Sequence, residues 1–130
     1  MSDEAIRVLL IEDNPGDVRL VQEVLREAGN GVFEIAVAGT FAEAKDQLQN
    51  QRYSAALLDL SLPDANGLDS VRGIVAAAPE TAIIVLTGRA DEKMAMEARQ
   101  LGAQDYLLKL DIDGLAEAIR SAIERQGTPG

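Results

Sequence analysis

Apolar residues along the chain are concentrated in short runs, which alternate with longer stretches whose apolar positions recur at helical spacing. Short runs rich in Val, Ile and Leu are typical of strands buried on both faces of a sheet. One run differs, because Glu34 interrupts it between Phe33 and Ile35, and this alternation indicates an edge strand with less complete cover. The pattern predicts five strands, at residues 6–11, 32–38, 54–59, 82–87 and 105–108.

Helical periodicity and capping residues predict one helix after each strand. Asn14 followed by Pro15 is typical of a helix start, and Gly29 of a helix end. Thr40 and Glu43 match a capping box, in which the two side chains satisfy free backbone N–H groups at the start of a helix. The predicted helices span about residues 15–28, 40–49, 67–78, 91–101 and 113–125.

Strict alternation of strands and helices predicts the fold class. Short connections between them favour right-handed crossovers, which build an open, doubly wound α/β sheet with all five strands parallel. We expect the flavodoxin-like (βα)5 arrangement with strand order 2-1-3-4-5. The length of 130 residues is that of one domain, predicted at residues 1–126, with 127–130 as a tail or linker stub.

The composition restricts the chemistry that such a domain can carry. The chain has 22 acidic and 12 basic residues, a formal net charge of -10, and neither His nor Cys. Disulfides, thiolate nucleophiles, His-ligated metals and Ser-His triads are therefore excluded. The negative charge disfavours nucleic acids and anionic membranes, and no apolar run is long enough to span a bilayer, so we expect a cytoplasmic protein with neither partner.

Residues with complementary chemistry stand at the carboxyl ends of four of the predicted strands. Ligands of open α/β sheets bind at the carboxyl ends of the strands, where this chain carries Glu12, Asp13, Asp59, Thr87 and Lys109. Carboxylates about 4 Å apart repel each other by about 4 kcal/mol per pair at an effective dielectric of 20. One lysine cannot neutralise three acids, and an all-oxygen cluster suits Mg²⁺, so the sequence predicts a magnesium site beside a phosphoryl group.

The residues at this edge of the sheet also predict a phosphoryl acceptor. Asp59 ends the central strand, where its carboxylate could attack phosphorus and form an acyl phosphate. The hydroxyl of Thr87 and the ammonium of Lys109 would then each bind one phosphoryl oxygen. Each of these residues alone is more often a capping acid, a strand-forming threonine or a surface charge. Their conjunction at one edge favours the functional interpretation.

These residues resemble the receiver domains of two-component response regulators over about residues 6–125. The likeness rests on Glu12-Asp13, on Asp59 in LLDLSLPDANG, on Thr87-Gly88 in IIVLTG, and on the YLLK segment that ends at Lys109. The resemblance implies that Asp59 accepts a phosphoryl group from the phosphohistidine of a sensor histidine kinase or a phosphotransfer protein. Beyond self-phosphorylation and autodephosphorylation, it implies no enzymatic activity.

The resemblance also implies a metal site and a switch. Mg²⁺ would be held by Asp13, Asp59 and the backbone carbonyl of Ser61, with Glu12 acting largely through water. Thr87 would move toward the phosphoryl group and Tyr106 would swing inward behind it. This would remodel the surface of the fourth helix, fifth strand and fifth helix. That surface could also form a homodimer through its mixed charges, at Arg89, Lys93, Asp105, Arg120 and Glu124.

Two positions depart from the usual pattern of the family. Leu110 stands where receivers usually have a proline after the lysine, which leaves the geometry of the Lys109 loop open. Glu12 replaces the commoner aspartate. The segments EDNPGDVRL and LGAQDYLLK are similar to receivers fused ahead of diguanylate cyclase, phosphodiesterase or kinase modules, and we expect a fused or separate output module of this kind.

Three alternatives share the predicted fold. A phosphatase of the haloacid dehalogenase type needs a second acid two residues after the nucleophile. This chain has Ser61 there, which excludes this class. A flavin-binding protein would need hydroxyl and backbone donors where residues 12–17 are acidic. A receiver-like interaction module that signals without phosphorylation stays open because of Leu110.

Overall fold

The computed structural model describes residues 5–29, 32–89 and 91–127. Strands and helices alternate along the whole of this part of the chain. The strands are β1 (Ile6–Ile11), β2 (Phe33–Ala38), β3 (Ala55–Asp59), β4 (Ala82–Thr87) and β5 (Asp105–Leu108). The helices are α1 (Pro15–Gly29), α2 (Phe41–Asn50), α3 (Gly67–Ala77), α4 (Glu92–Gln100) and α5 (Leu115–Gly127). Every predicted element is present, and its ends lie within two residues of the predicted ones.

All five strands pair in parallel in the order β2-β1-β3-β4-β5, which confirms the predicted doubly wound fold. The register aligns the carboxyl ends of the central strands, since Ile11 pairs with Leu58 and Asp59 pairs with Leu86. At the far side, Thr87 pairs with Leu108, one residue before Lys109. The residues that follow these strands therefore meet at one edge of the sheet.

Two hydrophobic layers cover the sheet. On one face, Leu9 and Ile11 of β1 pack in a cluster with residues of α2, α3 and α4. On the other face, Val8 and Leu10 pack in a second cluster with residues of α1 and α5. All residues of β3 are buried, as the uninterrupted apolar run predicts for a central strand covered on both faces.

The edge strand β2 is less completely covered, as its alternating pattern predicts. Phe33 and Ile35 are partly buried against the α1/α5 layer, whereas Val37, two residues further on, is 38% exposed. The predicted cap of α2 is also confirmed, since the hydroxyl of Thr40 accepts a hydrogen bond from the N–H of Glu43 at 3.1 Å. The Glu43 carboxylate returns to the N–H of Gly39 at 3.0 Å, one residue before the cap.

The predicted tail begins inside the last helix, because α5 continues to Gly127. Residues 128–130 lie outside the described part of the chain. Among the described helices, none combines the length and the apolar character that crossing a bilayer requires.

Candidate functional site

Three carboxylates meet where β1 and β3 end. Glu12 and Asp13 follow β1, and Asp59 is the last residue of the neighbouring strand β3. One carboxylate oxygen from each of the three lies within 4.8 Å of the other two. Glu12 and Asp59 are each only 3% exposed, whereas Asp13 is exposed. The sequence-predicted acids are thus brought together, with two beneath the surface and one at its rim.

Lys109 supplies the cation of this cluster. Its Nζ lies 2.7 Å from Oε1 of Glu12 and 3.2 Å from Oδ1 of Asp59. The backbone of Lys109 is fixed as well, because its N–H donates to the carbonyl of Thr87 at 2.8 Å. The sheet therefore holds the ammonium at the acids, although one positive charge leaves the group of three carboxylates net negative.

A fourth acid at the site was missed by sequence reasoning. Asp17, in the first turn of α1, accepts a hydrogen bond from Nζ of Lys109 at 2.8 Å. The available signal was its place in the turn directly after the acidic pair, where an acid also interacts favourably with the helix dipole. The helix dipole alone accounts for an acid at this position, so nothing in the sequence indicated that Asp17 would contact Lys109.

The environment shifts the protonation of two of these groups. Burial raises the pKa of Glu12 from its ordinary 4.5 to about 7, with a smaller contribution from the Asp59 charge, against hydrogen bonds from Lys109 and from the N–H of Asn14. Burial alone would lower the pKa of Lys109, but its bonds to Asp17 and Glu12 and the charge of Asp59 raise it above its ordinary value. The lysine is therefore charged throughout the physiological range, while Glu12 titrates near neutrality.

Thr87 and Tyr106 line a cavity next to the acids. The cavity has a volume of about 370 Å³, and its walls include Ser61 of the β3–α3 loop and Met94 of α4. The Thr87 hydroxyl accepts a hydrogen bond from the N–H of Arg89 at 3.3 Å. Burial raises the pKa of the half-buried Tyr106 phenol, while a hydrogen bond with Thr87 lowers it. The predicted switch pair is thus in contact, beside a space large enough for side-chain movement.

Leu110 leaves the lysine in place. The Leu110 side chain is 93% exposed, and the described residues contain no cis peptide bond. Lys109 nevertheless reaches Glu12 and Asp59. The absence of the usual proline therefore does not prevent the ammonium from occupying the acidic cluster.

The structure differs from the predicted dimer surface at one residue, Arg120. The guanidinium of Arg120 lies 5.5 Å from the centre of the Phe33 ring, at the opposite edge of the sheet. The placement of Arg120 on the surface of α4, β5 and α5 was therefore wrong, because its side chain lies over a ring of β2, at the edge of the sheet opposite to β5. Asp105 remains on this surface and pairs with Arg99 at 3.3 Å.

The donor atoms at the site fit a hard divalent cation. Glu12, Asp13 and Asp59 each offer a carboxylate oxygen as ligand atom, and Mg²⁺ prefers oxygen ligands over nitrogen or sulfur. Their number also fits, since Mg²⁺ takes few protein ligands and completes its shell with water and phosphate oxygens. A divalent ion would offset the negative charge that Lys109 leaves on the group of Glu12, Asp13 and Asp59.

Comparison with known proteins gives one consistent result. The family model described as the response regulator receiver domain matches residues 8–120. The regulatory protein LuxO of Vibrio vulnificus (strain YJ016) is 32% identical over 117 residues, which cover 89% of this chain and 25% of the relative. The chain spans about a quarter of the length of the curated relatives it matches.

Two solved structures are similar to this chain in both sequence and fold. The receiver domain of the sensor histidine kinase PA1611 from Pseudomonas aeruginosa PAO1, which holds a magnesium ion in its active-site cleft, is 28% identical with a TM-score of 0.78. That match covers 92% of this chain and 98% of the other. The beryllofluoride-activated NtrC4 receiver domain dimer is 25% identical with a TM-score of 0.81, over 93% and 98% of the two chains. With the sequence, the sheet order and the acidic edge in agreement, the chain belongs to the family of response regulator receiver domains.

Proposed function

We propose that this receiver domain accepts a phosphoryl group on a carboxylate oxygen of Asp59. The donor would be the phosphohistidine of a sensor histidine kinase or of a phosphotransfer protein. One observation carries the proposal: Asp59 ends the central strand β3 within a cluster that also contains two further carboxylates and one ammonium group. Such a cluster supports the binding of a metal ion and of an anionic phosphoryl group in the same place.

The transfer exchanges one bond for another. A lone pair on the Asp59 carboxylate forms the new O–P bond as the P–N bond of the phosphohistidine breaks, and the imidazole nitrogen keeps the bonding electrons. Lys109 would hold one phosphoryl oxygen through its ammonium, and the hydroxyl of Thr87 would donate to another. Both residues lie where the neighbouring strands β4 and β5 end, and Lys109 already contacts Asp59 at 3.2 Å.

Magnesium would be held by Asp13, Asp59 and the backbone carbonyl of Ser61, with Glu12 acting through water. When bound, the ion supplies positive charge to the phosphoryl oxygens during transfer. The burial of Glu12 and Asp59 supports this assignment, because buried carboxylates in a group depend on a cation to remain ionised. The charge of the ion would favour the ionised form of Glu12, whose pKa burial raises to about 7.

The output would follow from the pair Thr87 and Tyr106. When Thr87 turns toward the phosphoryl group, it vacates part of the cavity that it lines together with Tyr106. The half-buried ring would then move into that space and change the surface formed by α4, β5 and α5. This is a shift between two populations, driven by contacts that only the phosphorylated state provides.

Receiver domains act as signalling modules, and we propose the same for this chain, with only self-phosphorylation and autodephosphorylation as chemistry. Its output module would be a diguanylate cyclase, a phosphodiesterase or a kinase, fused or separate. A homodimer through α4, β5 and α5 would be one form of output. The net charge of -10 supports a domain that avoids nucleic acids and membranes, and we propose a cytoplasmic location.

The test is intact mass after incubation with acetyl phosphate and Mg²⁺. We expect one added phosphoryl group in the wild type, none in Asp59→Asn and none without Mg²⁺. Asp113→Asn is the matched control, because this exposed acid lies four residues after Lys109, outside the carboxylate cluster. The control should be phosphorylated like the wild type.

A short-lived adduct is distinguished from an absent one by beryllofluoride, a stable phosphoryl mimic. Binding of beryllofluoride with Mg²⁺ by the wild type but not by Asp59→Asn would support the proposal even if no added mass is seen. A wild type that neither gains mass nor binds beryllofluoride would contradict it. The domain would then act as a phosphorylation-independent interaction module.

A further inference from the structure

A contact outside the carboxylate cluster joins two loops at the same edge of the sheet. The carboxylate of Asp64, in the β3–α3 loop, accepts hydrogen bonds from the first two N–H groups of α2. Oδ1 lies 2.8 Å from the N–H of Phe41, and Oδ2 lies 3.1 Å from the N–H of Ala42. The hydrogen bond from Phe41, with a second from Ala42, holds the pKa of Asp64 below its ordinary value. Asp64 is therefore a charged, two-pronged acceptor at the positive end of a helix.

The contact is not needed to cap the helix. Thr40 already caps α2 through the N–H of Glu43, and the Glu43 side chain bonds back to Gly39. The N–H groups of Phe41 and Ala42 lie in an exposed region, where water can satisfy them. What Asp64 adds is a connection between α2 and a loop that is 22 or more residues away along the chain.

The position of this connection relates it to the metal site. In the sheet, β1 lies between β2 and β3, so the β2–α2 and β3–α3 connections flank the end of β1. The bonds from Asp64 thus join the two sides of the strand end that carries Glu12 and Asp13. The same loop contains Ser61, three residues before Asp64.

The anchor on the α2 side is itself held in place. The ring of Phe41 packs directly over Gly73 of α3, where any side chain would meet the ring. The backbone of Phe41 is bound by Asp64 and its ring by α3, so the start of α2 is fixed from two directions. A loop tied to this point has little freedom to drift away from β1.

We propose that Asp64 is a positioning residue for the magnesium site. By tying the β3–α3 loop to the start of α2, it holds the backbone carbonyl of Ser61 at the distance from Asp13 and Asp59 that the ion requires. This inference rests on the proposed function, because it assumes that Mg²⁺ binds at these residues. Partners that orient a metal ligand from outside typically change metal affinity by about 10- to 100-fold when they are removed.

The test compares Mg²⁺ affinity in variants of the whole chain, measured by titration of backbone amide signals in NMR spectra. Asp64→Ala should raise the dissociation constant of Mg²⁺ roughly tenfold. Thr40→Ala is the matched control, because it removes a cap from the same helix end without touching the β3–α3 loop. Its Mg²⁺ affinity should stay at the wild-type value. Asp64→Asn, which keeps one acceptor oxygen, should fall between the wild type and Asp64→Ala.

A second readout separates positioning from general loss of stability. Coupling between two sites is reciprocal, so Mg²⁺ must strengthen the Asp64 contact by the same factor by which the contact strengthens Mg²⁺ binding. Adding Mg²⁺ to the wild type should therefore slow hydrogen exchange at the amides of Phe41 and Ala42. The amide of Glu43, bound by Thr40 in the same turn, should not respond.

The outcomes distinguish this inference from the function on which it rests. Equal Mg²⁺ affinities in Asp64→Ala and Thr40→Ala would overturn the role of Asp64 and leave the phosphoacceptor proposal intact. Unchanged exchange at Phe41 and Ala42 on adding Mg²⁺ would do the same, even if one variant failed to fold. A wild type that binds no Mg²⁺ would overturn both.

Discussion

Nζ of Lys109 lies 3.2 Å from Oδ1 of Asp59, farther than from the nearest oxygens of Glu12 and Asp17, at 2.7 and 2.8 Å. An ammonium group has three protons, and three carboxylates surround it here: Asp17 and Glu12 accept hydrogen bonds from it, and Asp59 forms an ion pair with it. Lys109 can therefore bind a phosphoryl oxygen only by giving up one of these partners. Asp59 is the partner that it would release, because that contact is the longest and because formation of the acyl phosphate would remove the negative charge of the Asp59 carboxylate. Asp17 and Glu12 would keep the ammonium in place during the exchange.

The removal of Lys109 should therefore be costly in the metal-free protein. Lys109→Met leaves Glu12 and Asp59 buried without their cation, and we expect the free energy of unfolding to fall by about 3 kcal/mol. Mg²⁺ should restore a large part of this loss, because it supplies positive charge to the same oxygens. Urea unfolding with and without Mg²⁺ measures both effects.

Lys93→Met is the control for the lysine substitution, because Lys93 is exposed on α4. We expect its free energy of unfolding to change by no more than about 0.5 kcal/mol, with no added response to Mg²⁺. Equal losses in the two variants would show that Lys109 does not balance the buried acids.

Glu12 should make Mg²⁺ binding depend on pH near neutrality. Its pKa is raised to about 7, chiefly by burial, and a protonated carboxyl binds Mg²⁺ poorly. The affinity for Mg²⁺ should therefore increase as the pH rises through 7. Calorimetric titration across this range should show a steeper rise for the wild type than for Glu12→Gln, whose side chain does not titrate.

The same group should lower the stability of the metal-free protein as the pH rises. Between the ordinary value of 4.5 and about 7, the folded state keeps a proton on Glu12 that the unfolded state has lost. The contribution of this proton to stability is complete below pH 4.5 and is lost as the pH rises through 7. The difference in unfolding free energy between wild type and Glu12→Gln isolates it from other carboxylates. A difference that stays constant between pH 4.5 and 8 would contradict the raised pKa.

The sequence predicted the fold because each element carries its own local signal. Residues 82–86 form an uninterrupted apolar run and are buried in β4, while Glu34 marks the edge strand β2. Thr40 and Glu43 marked the start of α2 through a capping pattern that depends on local hydrogen bonds. The strand order followed from connection lengths and handedness, which are general properties of such sheets.

The site was predictable where it lies at strand ends and was not predictable elsewhere. Glu12, Asp59 and Lys109 directly adjoin strands, so the sheet rule alone places them together. Asp17 and Asp64 lie in a helix and a loop, where an acidic residue is common for local reasons. Their partners are 92 and 23 residues away along the chain, and only the folded geometry brings them into contact.

Gly102 should be required for the turn between α4 and β5. Its φ is +120°, a conformation that side-chain-bearing residues rarely adopt, and an added Cβ would lie 3.0 Å from a methyl group of Val75. Gly102→Ala should lower the free energy of unfolding by about 2 kcal/mol through backbone strain and steric overlap. Gly114→Ala is the control, since no atom of the described residues lies within 4 Å of its added Cβ, and it should be nearly neutral. Thermal unfolding of both variants gives the comparison, and equal melting temperatures would exclude strain at Gly102.

The link from Thr87 to Tyr106 should be visible through the two tyrosines of the chain. With beryllofluoride and Mg²⁺ bound, Thr87 should turn to the phosphoryl mimic and the Tyr106 ring should enter the adjoining cavity. The ring signals of Tyr106 in carbon–proton NMR spectra should therefore shift. Those of Tyr53 should not, because this ring is buried and bonded to Gln47 at 2.9 Å.

Thr87→Ala should keep the binding of the phosphoryl mimic but lose the response of the Tyr106 ring. The variant keeps Asp59, Lys109 and the acids, so it should still bind beryllofluoride, with affinity reduced about tenfold by the loss of one hydrogen bond to a charged group. The Tyr106 signals should then stay at their free positions, while Thr87→Ser, which keeps the hydroxyl, should restore the shift. A full Tyr106 shift in Thr87→Ala would show that the ring responds to the phosphoryl group by a route that does not pass through Thr87.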